Sequence, residues 1–222
     1  GIDPVVARVL DVVSLRRRLE AELEHRDSQY QLSHLVAQSH VMKQLLEQVR
    51  EVAENPKSSV MLLGETGTGK EVFAQAIHYE SGRKSKAIIA LNCSAFSHDL
   101  LESELFGHAE GAFTGATRQK KGLLEEAHEG TLFLDEIGEM HQDVQAKFLR
   151  VLESGEFYRV GETKTRKVNI RVIAATNRIL EHEVEAGHFR RDLFYRLSVF
   201  TLMIPPLRER KEDIELLALH FV

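Results

Sequence analysis

The chain has 222 residues, of which 43% are hydrophobic and 28% charged, and its formal net charge is −5. These values are typical of a soluble globular protein with one large domain and an appendage. No apolar run approaches the ~20 residues of a membrane-spanning helix, which argues against a membrane protein. The net charge also lacks the strongly basic balance of a self-sufficient nucleic-acid binder.

Cysteine usage and the ends of the chain indicate the compartment. The single cysteine, Cys93, cannot form a disulfide within the chain, and the first residues lack the regions of a signal peptide. We therefore expect a cytoplasmic protein in which Cys93 is a small buried residue at a strand end. The chain starts without methionine and stops at Val222 inside an amphipathic pattern, so we expect it to be part of a longer protein.

The first two segments are predicted to be helical. Residues 5–30 place apolar side chains at alternating steps of three and four, an imperfect heptad pattern. This pattern fits a coiled-coil linker that pairs two subunits, or a solvated amphipathic helix that covers the next domain. Residues 31–54 form a second predicted helix, which ends at the breaker Asn55-Pro56.

Strands and helices then alternate along the chain, which predicts an α/β fold with a parallel sheet and helices on both faces. The predicted strands cover residues 60–63, 87–91, 131–134, 170–176 and 200–204. The predicted helices of this part cover residues 71–80, 142–153 and about 191–197.

A glycine-rich segment separates the first predicted strand from the helix that follows. Its residues are Gly64, Glu65, Thr66, Gly67, Thr68, Gly69 and Lys70, followed by Glu71. In this setting glycines let backbone N–H groups converge on one anion, and the helix adds its positive dipole end. The Gly-x4-Gly-Lys spacing predicts a nucleotide site with Lys70 at the β- and γ-phosphates. Glu71 stands where Ser or Thr usually ligates Mg²⁺.

A second element of the predicted site is the pair Asp135-Glu136, which ends the apolar run Thr131–Leu134. Ligands of parallel sheets lie at the carboxyl ends of the strands, so Asp135 is expected near a metal bound to the phosphates. Glu136 is the candidate base that polarises the attacking water, because phosphoryl transfer needs mainly positioning and charge neutralisation.

Four segments together resemble the AAA+ domain of bacterial enhancer-binding proteins, the ATPases that activate the sigma-54 form of RNA polymerase. They are the glycine loop ending in Gly-Lys-Glu71, Glu102–His108, Gly111–Ala116 and Gly130–Gly138. The resemblance runs from about residue 32 to the C-terminus, and the segment 111–116 is close to diagnostic. It implies a P-loop AAA+ fold, a three-layer sandwich around a parallel sheet, in which glutamate after the lysine is regular.

The resemblance also implies a domain plan. Residues 1–31 would be a helical or coiled-coil linker, residues 32–205 the ATPase domain, and residues 206–222 the start of a truncated helical lid. Most of the lid, its sensor II arginine and a DNA-binding helix-turn-helix domain would lie outside this chain.

Several site residues take roles from the resemblance. The resemblance implies that the nucleotide is ATP. It also implies that Asp135 coordinates Mg²⁺ through a water molecule. Asn177 matches sensor I, with a helix cap as the alternative, and Asn92 matches a residue that turns Glu136, with a strand-end cap as the alternative. Arg190 and Arg196 match arginine fingers that act on a neighbouring subunit, with an intramolecular ion pair as the alternative.

The implied output element is a surface loop inserted in a helix, whose residues are Gly111, Ala112, Phe113, Thr114, Gly115 and Ala116. By resemblance this loop contacts sigma-54, with Phe113 and Thr114 as the expected contact residues. From composition alone, Phe113 tucked into the core of a tight turn is an equal alternative. The implied assembly is a hexameric or heptameric ring, with dimers formed through the N-terminal helix.

Two other patterns, a hairpin and the histidines, each have a functional and a structural interpretation. Residues 156–167 are predicted to form a hairpin whose basic residues line a ring's pore or, as the favoured interpretation, lie on a solvated strand face. The 11 histidines lack zinc-site spacing and are expected to be structural or surface residues. Two functions are alternatives to a remodelling ATPase: a nucleotide-dependent regulator that does not remodel its target, and a DNA motor.

Overall fold

The computed structural model describes Leu35 and residues 37–220. The predicted linker helix over residues 5–30 lies outside the described residues. Within the described part, no helix is both long enough and apolar enough to cross a membrane.

The centre of the fold is a five-stranded sheet in which every neighbouring pair is parallel, as the sequence predicted. Its strands, in chain order, are β1 (Val60–Leu63), β2 (Ile88–Asn92), β5 (Thr131–Asp135), β8 (Arg171–Thr176) and β9 (Phe200–Met203). The spatial order is β2–β5–β8–β1–β9. Because β1 lies between β8 and β9, the glycine loop at its carboxyl end opens over the interior of the sheet.

Two short antiparallel pairs lie outside this sheet. They are β3 (Gly107–His108) with β4 (Lys120–Lys121), and β6 (Glu156–Phe157) with β7 (Arg166–Lys167). The second pair confirms the predicted hairpin over residues 156–167.

Helices cover the sheet, and several connections contain single 3₁₀ turns. The α-helices are α1 (His40–Ala53), α2 (Lys70–Tyr79), α3 (His98–Phe106), α4 (Leu123–Glu126), α5 (Gln142–Ser154), α6 (Leu180–Glu185), α7 (Arg191–Leu197) and α8 (Ile214–His220). The 3₁₀ turns are Cys93–Ala95, Ile137–Glu139, Leu207–Glu209 and Lys211–Asp213.

The core is divided between the two faces of the sheet, as the period-two alternation of strand side chains requires. Val60 and Leu62 of β1 pack in a cluster with α1 and α2. Met61, one residue along, packs in the opposite cluster with α3, α5 and α7. Both faces are therefore buried, which explains why the strands read as continuous apolar runs.

The predicted helix over residues 31–54 starts too early: among the described residues, Leu35 and residues 37–39 are not helical. The structure begins α1 only at His40, and the residue before it, Ser39, has the extended backbone of a helix N-cap (φ −62°, ψ 147°). The reason is a long-range contact: the backbone N–H groups of Gln38 and Ser39 both donate to the Asp213 carboxylate. The apolar face of the rest of the helix is buried as predicted.

Candidate functional site

The glycine loop wraps around the end of Lys70. The Lys70 Nζ donates to the carbonyl oxygens of Gly64 (2.9 Å) and Glu65 (3.1 Å), and the side chain is buried. Gly67 and Gly69 have φ angles of +83° and +96°, a backbone conformation that favours glycine. The loop thus presents its backbone and one lysine N–H at the N-terminus of α2, which is where a phosphate binds.

Glu71 points away from this lysine. Its carboxylate accepts a hydrogen bond from the Gln75 side chain (3.4 Å), one turn along α2, and it is exposed.

Residues after β9 close one side of the loop, which the sequence did not reveal. Arg208 makes two hydrogen bonds to the Glu65 carboxylate, at 2.7 and 2.5 Å, and these hold the pKa of Glu65 below its ordinary value. The Arg210 Nη2 donates to the Thr68 carbonyl oxygen at 3.1 Å and is buried. A cavity of about 720 Å³ lies between the loop and α8.

Asp213 fastens this closing segment to the start of α1. Its carboxylate accepts from the Ser39 N–H (2.8 Å), the Gln38 N–H (2.6 Å) and the Ser39 hydroxyl (2.7 Å). Burial alone raises the pKa of Asp213, but the hydrogen bonds from Ser39 and Gln38 and the charge of Arg210 outweigh it and lower that pKa. We call this set of contacts, Gln38 and Ser39 with Asp213, the clasp.

Replacement of Asp213 by alanine is expected to lower the free energy of unfolding by about 3 kcal/mol, because buried N–H donors lose their acceptor. The Asp213 pKa is lower in the folded chain, so its stabilisation is present at neutral pH and disappears as the pH falls below the ordinary aspartate value of about 3.9. Denaturant unfolding should therefore show a large difference in the free energy of unfolding between the wild type and Asp213→Ala at pH 7, and a smaller difference below pH ~4. The neighbouring exposed Glu212→Ala serves as control. Equal losses of unfolding free energy in Asp213→Ala and Glu212→Ala would contradict a stabilising role of the clasp.

The two acids lie at the carboxyl end of β5, two strands away from β1 and its glycine loop. The Asp135 Oδ1 accepts the Glu136 N–H at 3.0 Å, and both side chains are half-buried. Glu136 adopts a left-handed conformation (φ +50°), which is unusual for a residue with a side chain and is often found at functional sites. Nearby, burial raises the pKa of the Cys93 thiol to about 12, with a contribution from the two acids, so this buried cysteine stays protonated.

The two asparagines lie at the carboxyl ends of β2 and β8, the strands on either side of β5. The Asn177 Nδ2 donates to the Thr66 Oγ1 in the glycine loop at 3.1 Å, which ties the end of β8 to that loop. Asn92 is in register with Asp135, and its Oδ1 accepts from the backbone N–H and the hydroxyl of Ser94. Asn92 thus caps the 3₁₀ turn that follows β2, as its alternative interpretation described.

Arg190 and Arg196 lie at the two ends of α7, and both are exposed. Arg190 makes an ion pair with Asp192 through two hydrogen bonds, at 3.0 and 2.7 Å. This pair raises the pKa of Arg190 and lowers that of Asp192. The Arg196 Nη2 donates to the Leu152 carbonyl oxygen at 3.4 Å. Arg190 is therefore in the intramolecular pair that sequence reasoning gave as its alternative.

The segment Gly111–Ala116 forms a closed surface loop between β3 and β4. The Gly111 N–H donates to the Ala116 carbonyl oxygen (2.8 Å), and the Ala116 N–H to the Phe113 carbonyl oxygen (3.0 Å). Ala116 is buried, but Phe113 is 46% exposed, and its ring makes a T-shaped contact with the His108 ring. Phe113 therefore does not enter the core.

The base of this loop is joined to the hairpin β6–β7. The Ala109 N–H donates to the Val160 carbonyl oxygen, and the Val160 N–H to the Gly107 carbonyl oxygen, both at 2.9 Å. A Cβ on Gly161 would approach the Ala112 Cβ to 2.7 Å, so only glycine fits there. The basic residues of the hairpin are largely paired: Arg166 binds Glu162, and Lys167 binds Glu156.

The glycine loop after a central parallel strand, with acids at the end of a strand two positions away, defines the P-loop nucleoside triphosphatase class. Comparisons agree with this class. A family model described as "Sigma-54 interaction domain" matches residues 35–203, more than half of the chain.

Two curated relatives and one solved protein are similar over most of the chain. The Nif-specific regulatory protein of Azotobacter vinelandii is 56% identical over 184 residues, covering 83% of this chain and 35% of that protein. The regulatory protein AtoC of Escherichia coli K12 is 49% identical over 218 residues, which cover 98% of this chain and 47% of AtoC. NtrX from Brucella abortus is 39% identical and has been solved with ADP and with ATP. The ADP structure has a TM-score of 0.84 and covers 97% of this chain and 46% of NtrX. The ATP structure has a TM-score of 0.81 and covers 94% of this chain and 45% of NtrX.

The chain belongs to the sigma-54 interaction domain family, whose members are AAA+ P-loop ATPases of transcriptional activators. It spans less than half the length of these relatives.

Proposed function

We propose that this chain is the ATP-hydrolysing motor of an activator that remodels the closed complex of sigma-54 RNA polymerase to start transcription. The observation that carries the proposal is the exposed Phe113-Thr114 tip of a loop whose base is closed by hydrogen bonds. An exposed aromatic residue on a pinned loop is suited to contact a partner, because little conformational freedom is lost on binding. In the proposal, residues Gly111–Ala116 contact sigma-54.

ATP binds at Gly64–Lys70 in this proposal, with Glu71 at the start of α2. The backbone N–H groups of the loop and the Lys70 ammonium would bind the β- and γ-phosphates. The hydrogen bond from Asn177 to Thr66 supports a role for the Asn177 amide at this site. The structures of the similar protein NtrX solved with ADP and with ATP support nucleotide binding by this fold. The cavity beneath α8 is large enough for the base and sugar.

The donor set at the end of β5 fits Mg²⁺, which prefers oxygen ligands from one or two carboxylates and keeps several waters. Asp135 would hold the ion, through water, because only its Oδ1 is committed to the Glu136 N–H. When bound, Mg²⁺ neutralises charge on the phosphates. Glu136 accepts the proton of the attacking water, and Asn92 acts on the position of Glu136.

The site is completed by a neighbour in this proposal. Arg190 and Arg196 project from α7 into the site of the next subunit of a hexameric or heptameric ring. Their exposure supports this role, although Arg190 must exchange Asp192 for a phosphate oxygen. Guanidinium groups bind both partners in the same forked geometry, so this exchange needs little reorganisation.

The domain plan and the cellular setting belong to the same proposal. Residues 1–31 would link and pair subunits, residues 32–205 form the ATPase domain, and residues 206–222 start the lid. A C-terminal helix-turn-helix domain outside this chain would bind promoter or enhancer DNA. The protein would act in the cytoplasm, in response to a signal received elsewhere in the full protein.

Replacement of Thr114 by alanine should separate ATP hydrolysis from the action on sigma-54. We expect ATP turnover to stay close to the wild-type value, because Thr114 is exposed and distant in sequence from every predicted catalytic group. Nucleotide-dependent capture of sigma-54 and open-complex formation should be lost. Exposed Thr117→Ala, just outside the loop, is the matched control. Normal open-complex formation by Thr114→Ala would contradict the output role, and capture without remodelling by the wild type would favour a binding regulator.

A further inference from the structure

A second cluster of side chains lies where helices α3 and α5 begin. His98 is the first residue of α3, His141 directly precedes α5, and Asp143 lies in the first turn of α5. One ligand atom from each of the three lies within 4.8 Å of the other two. We propose that His98, His141 and Asp143 bind a divalent transition-metal ion, for which Zn²⁺ is the best match.

The distances within the cluster are close to those of a zinc site. The Asp143 Oδ2 lies 3.9 Å from the His98 Nε2 and 3.6 Å from the His141 Nδ1. Tetrahedral zinc with bonds of about 2.1 Å separates its ligand atoms by about 3.4 Å. His141 and Asp143 are 59% and 71% exposed, so small side-chain rotations can complete the geometry. The fourth position is then left to water.

Asp99 prepares His98 for this role. The Asp99 Oδ1 lies 2.8 Å from the His98 Nδ1 and accepts a hydrogen bond from the Nδ1–H, which leaves the lone pair on Nε2. That Nε2 is buried from solvent and has no hydrogen-bond partner among the described residues. A carboxylate bonded to the far nitrogen of a histidine is the usual outer support of a metal ligand, because it fixes the tautomer and ring orientation.

The charge balance and ligand types select the ion. The positive ends of α3 and α5 point towards the cluster and oppose a cation, and the carboxylates of Asp99 and Asp143 offset them. Imidazole nitrogens favour Zn²⁺, Ni²⁺ and Cu²⁺ over Mg²⁺, which prefers oxygen. The cluster is therefore chemically distinct from the Asp135 site.

A bound ion would tie the start of α3 to α5. One turn further along both helices, Lys147 already binds Glu102 at 2.5 Å, so the ion would add a second link on the same side. Helix α3 ends at Phe106, directly before β3 and the loop Gly111–Ala116. The inference does not depend on the proposed function, because it concerns only binding and the anchoring of α3.

The test is titration of the nucleotide-free 222-residue chain with Zn²⁺, in excess Mg²⁺, followed by calorimetry. We expect one ion per chain, with the affinity lowered at least ~10-fold in His98→Gln and His141→Gln. Removal of the supporting carboxylate in Asp99→Ala should lower it by ~10–100-fold. Zn²⁺ should also slow amide hydrogen exchange across residues 98–106 in the wild type and not in His98→Gln.

The matched control is His182→Gln, an exposed histidine on α6 whose side chain makes no hydrogen bond or ion pair within residues 37–220. It should bind Zn²⁺ like the wild type. The proposal is overturned if the wild type binds no Zn²⁺, if His98→Gln binds it equally well, or if His182→Gln loses it to the same extent. Thermal unfolding without metal verifies that each variant is folded.

Discussion

The Glu136→Gln variant is expected to hydrolyse ATP ~10²–10⁴-fold more slowly than the wild type, because a carboxamide cannot accept the proton of the attacking water. ATP binding should be retained, since the contacts of Lys70 with Gly64 and Glu65 do not involve this side chain. Single-turnover hydrolysis and equilibrium binding of a fluorescent ATP analogue measure the two effects separately.

A nearby acid provides the control for this loss. Glu139 lies one turn further on, is exposed, and makes an ion pair with Arg178. Glu139→Gln should hydrolyse ATP at nearly the wild-type rate, which would show that general loss of negative charge is not responsible. If Glu136→Gln turned over ATP like the wild type, another group would have to be the base. The left-handed backbone at residue 136 would then need a different explanation.

The Arg196→Ala variant is expected to lose ~10³–10⁵-fold in ATP turnover, the usual effect of an arginine finger delivered by another subunit. Light scattering with an ATP analogue should show that the variant still assembles. The exposed neighbour Arg191 is the control, because Arg191→Ala removes the same charge from the same helix.

Mixing two inactive variants gives the sharpest test of action between subunits. An Arg196→Ala subunit keeps its own Glu136, and a Glu136→Gln subunit keeps its own Arg196. Where the two are neighbours in a ring, one complete site is restored, so the mixture should regain part of the lost activity. No recovery on mixing, with assembly intact, would mean that Arg196 acts within its own chain or only supports the fold.

The features of this molecule that the sequence predicts are those that depend on residues close together in the chain. The glycine loop, the acids after an apolar strand, and the five parallel strands were all predicted, because spacing and period depend on neighbours in sequence. The contacts that close the nucleotide cavity could not be predicted this way. Arg208 meets Glu65 across 143 residues, and no pattern near either residue indicates the other.

The start of α1 shows the same limit. Helical periodicity continues before His40, but the Asp213 carboxylate, 174 residues from Ser39, accepts hydrogen bonds from the N–H groups of Gln38 and Ser39. The approach of His98 to His141 is likewise tertiary, since His98 begins α3 and His141 directly precedes α5. Sequence spacing alone therefore favoured structural or surface histidines. The pairing of Arg190 with Asp192 was likewise only one of two alternatives.

The clasp has a practical consequence for where this domain can be cut. The family match ends at residue 203, which suggests a convenient boundary for a shorter fragment. A fragment ending there would lose Arg208, Arg210 and Asp213, and with them one wall of the nucleotide cavity and the anchor of Ser39. The smallest unit that keeps its fold and its ligand site must therefore begin before residue 38 and extend beyond residue 213.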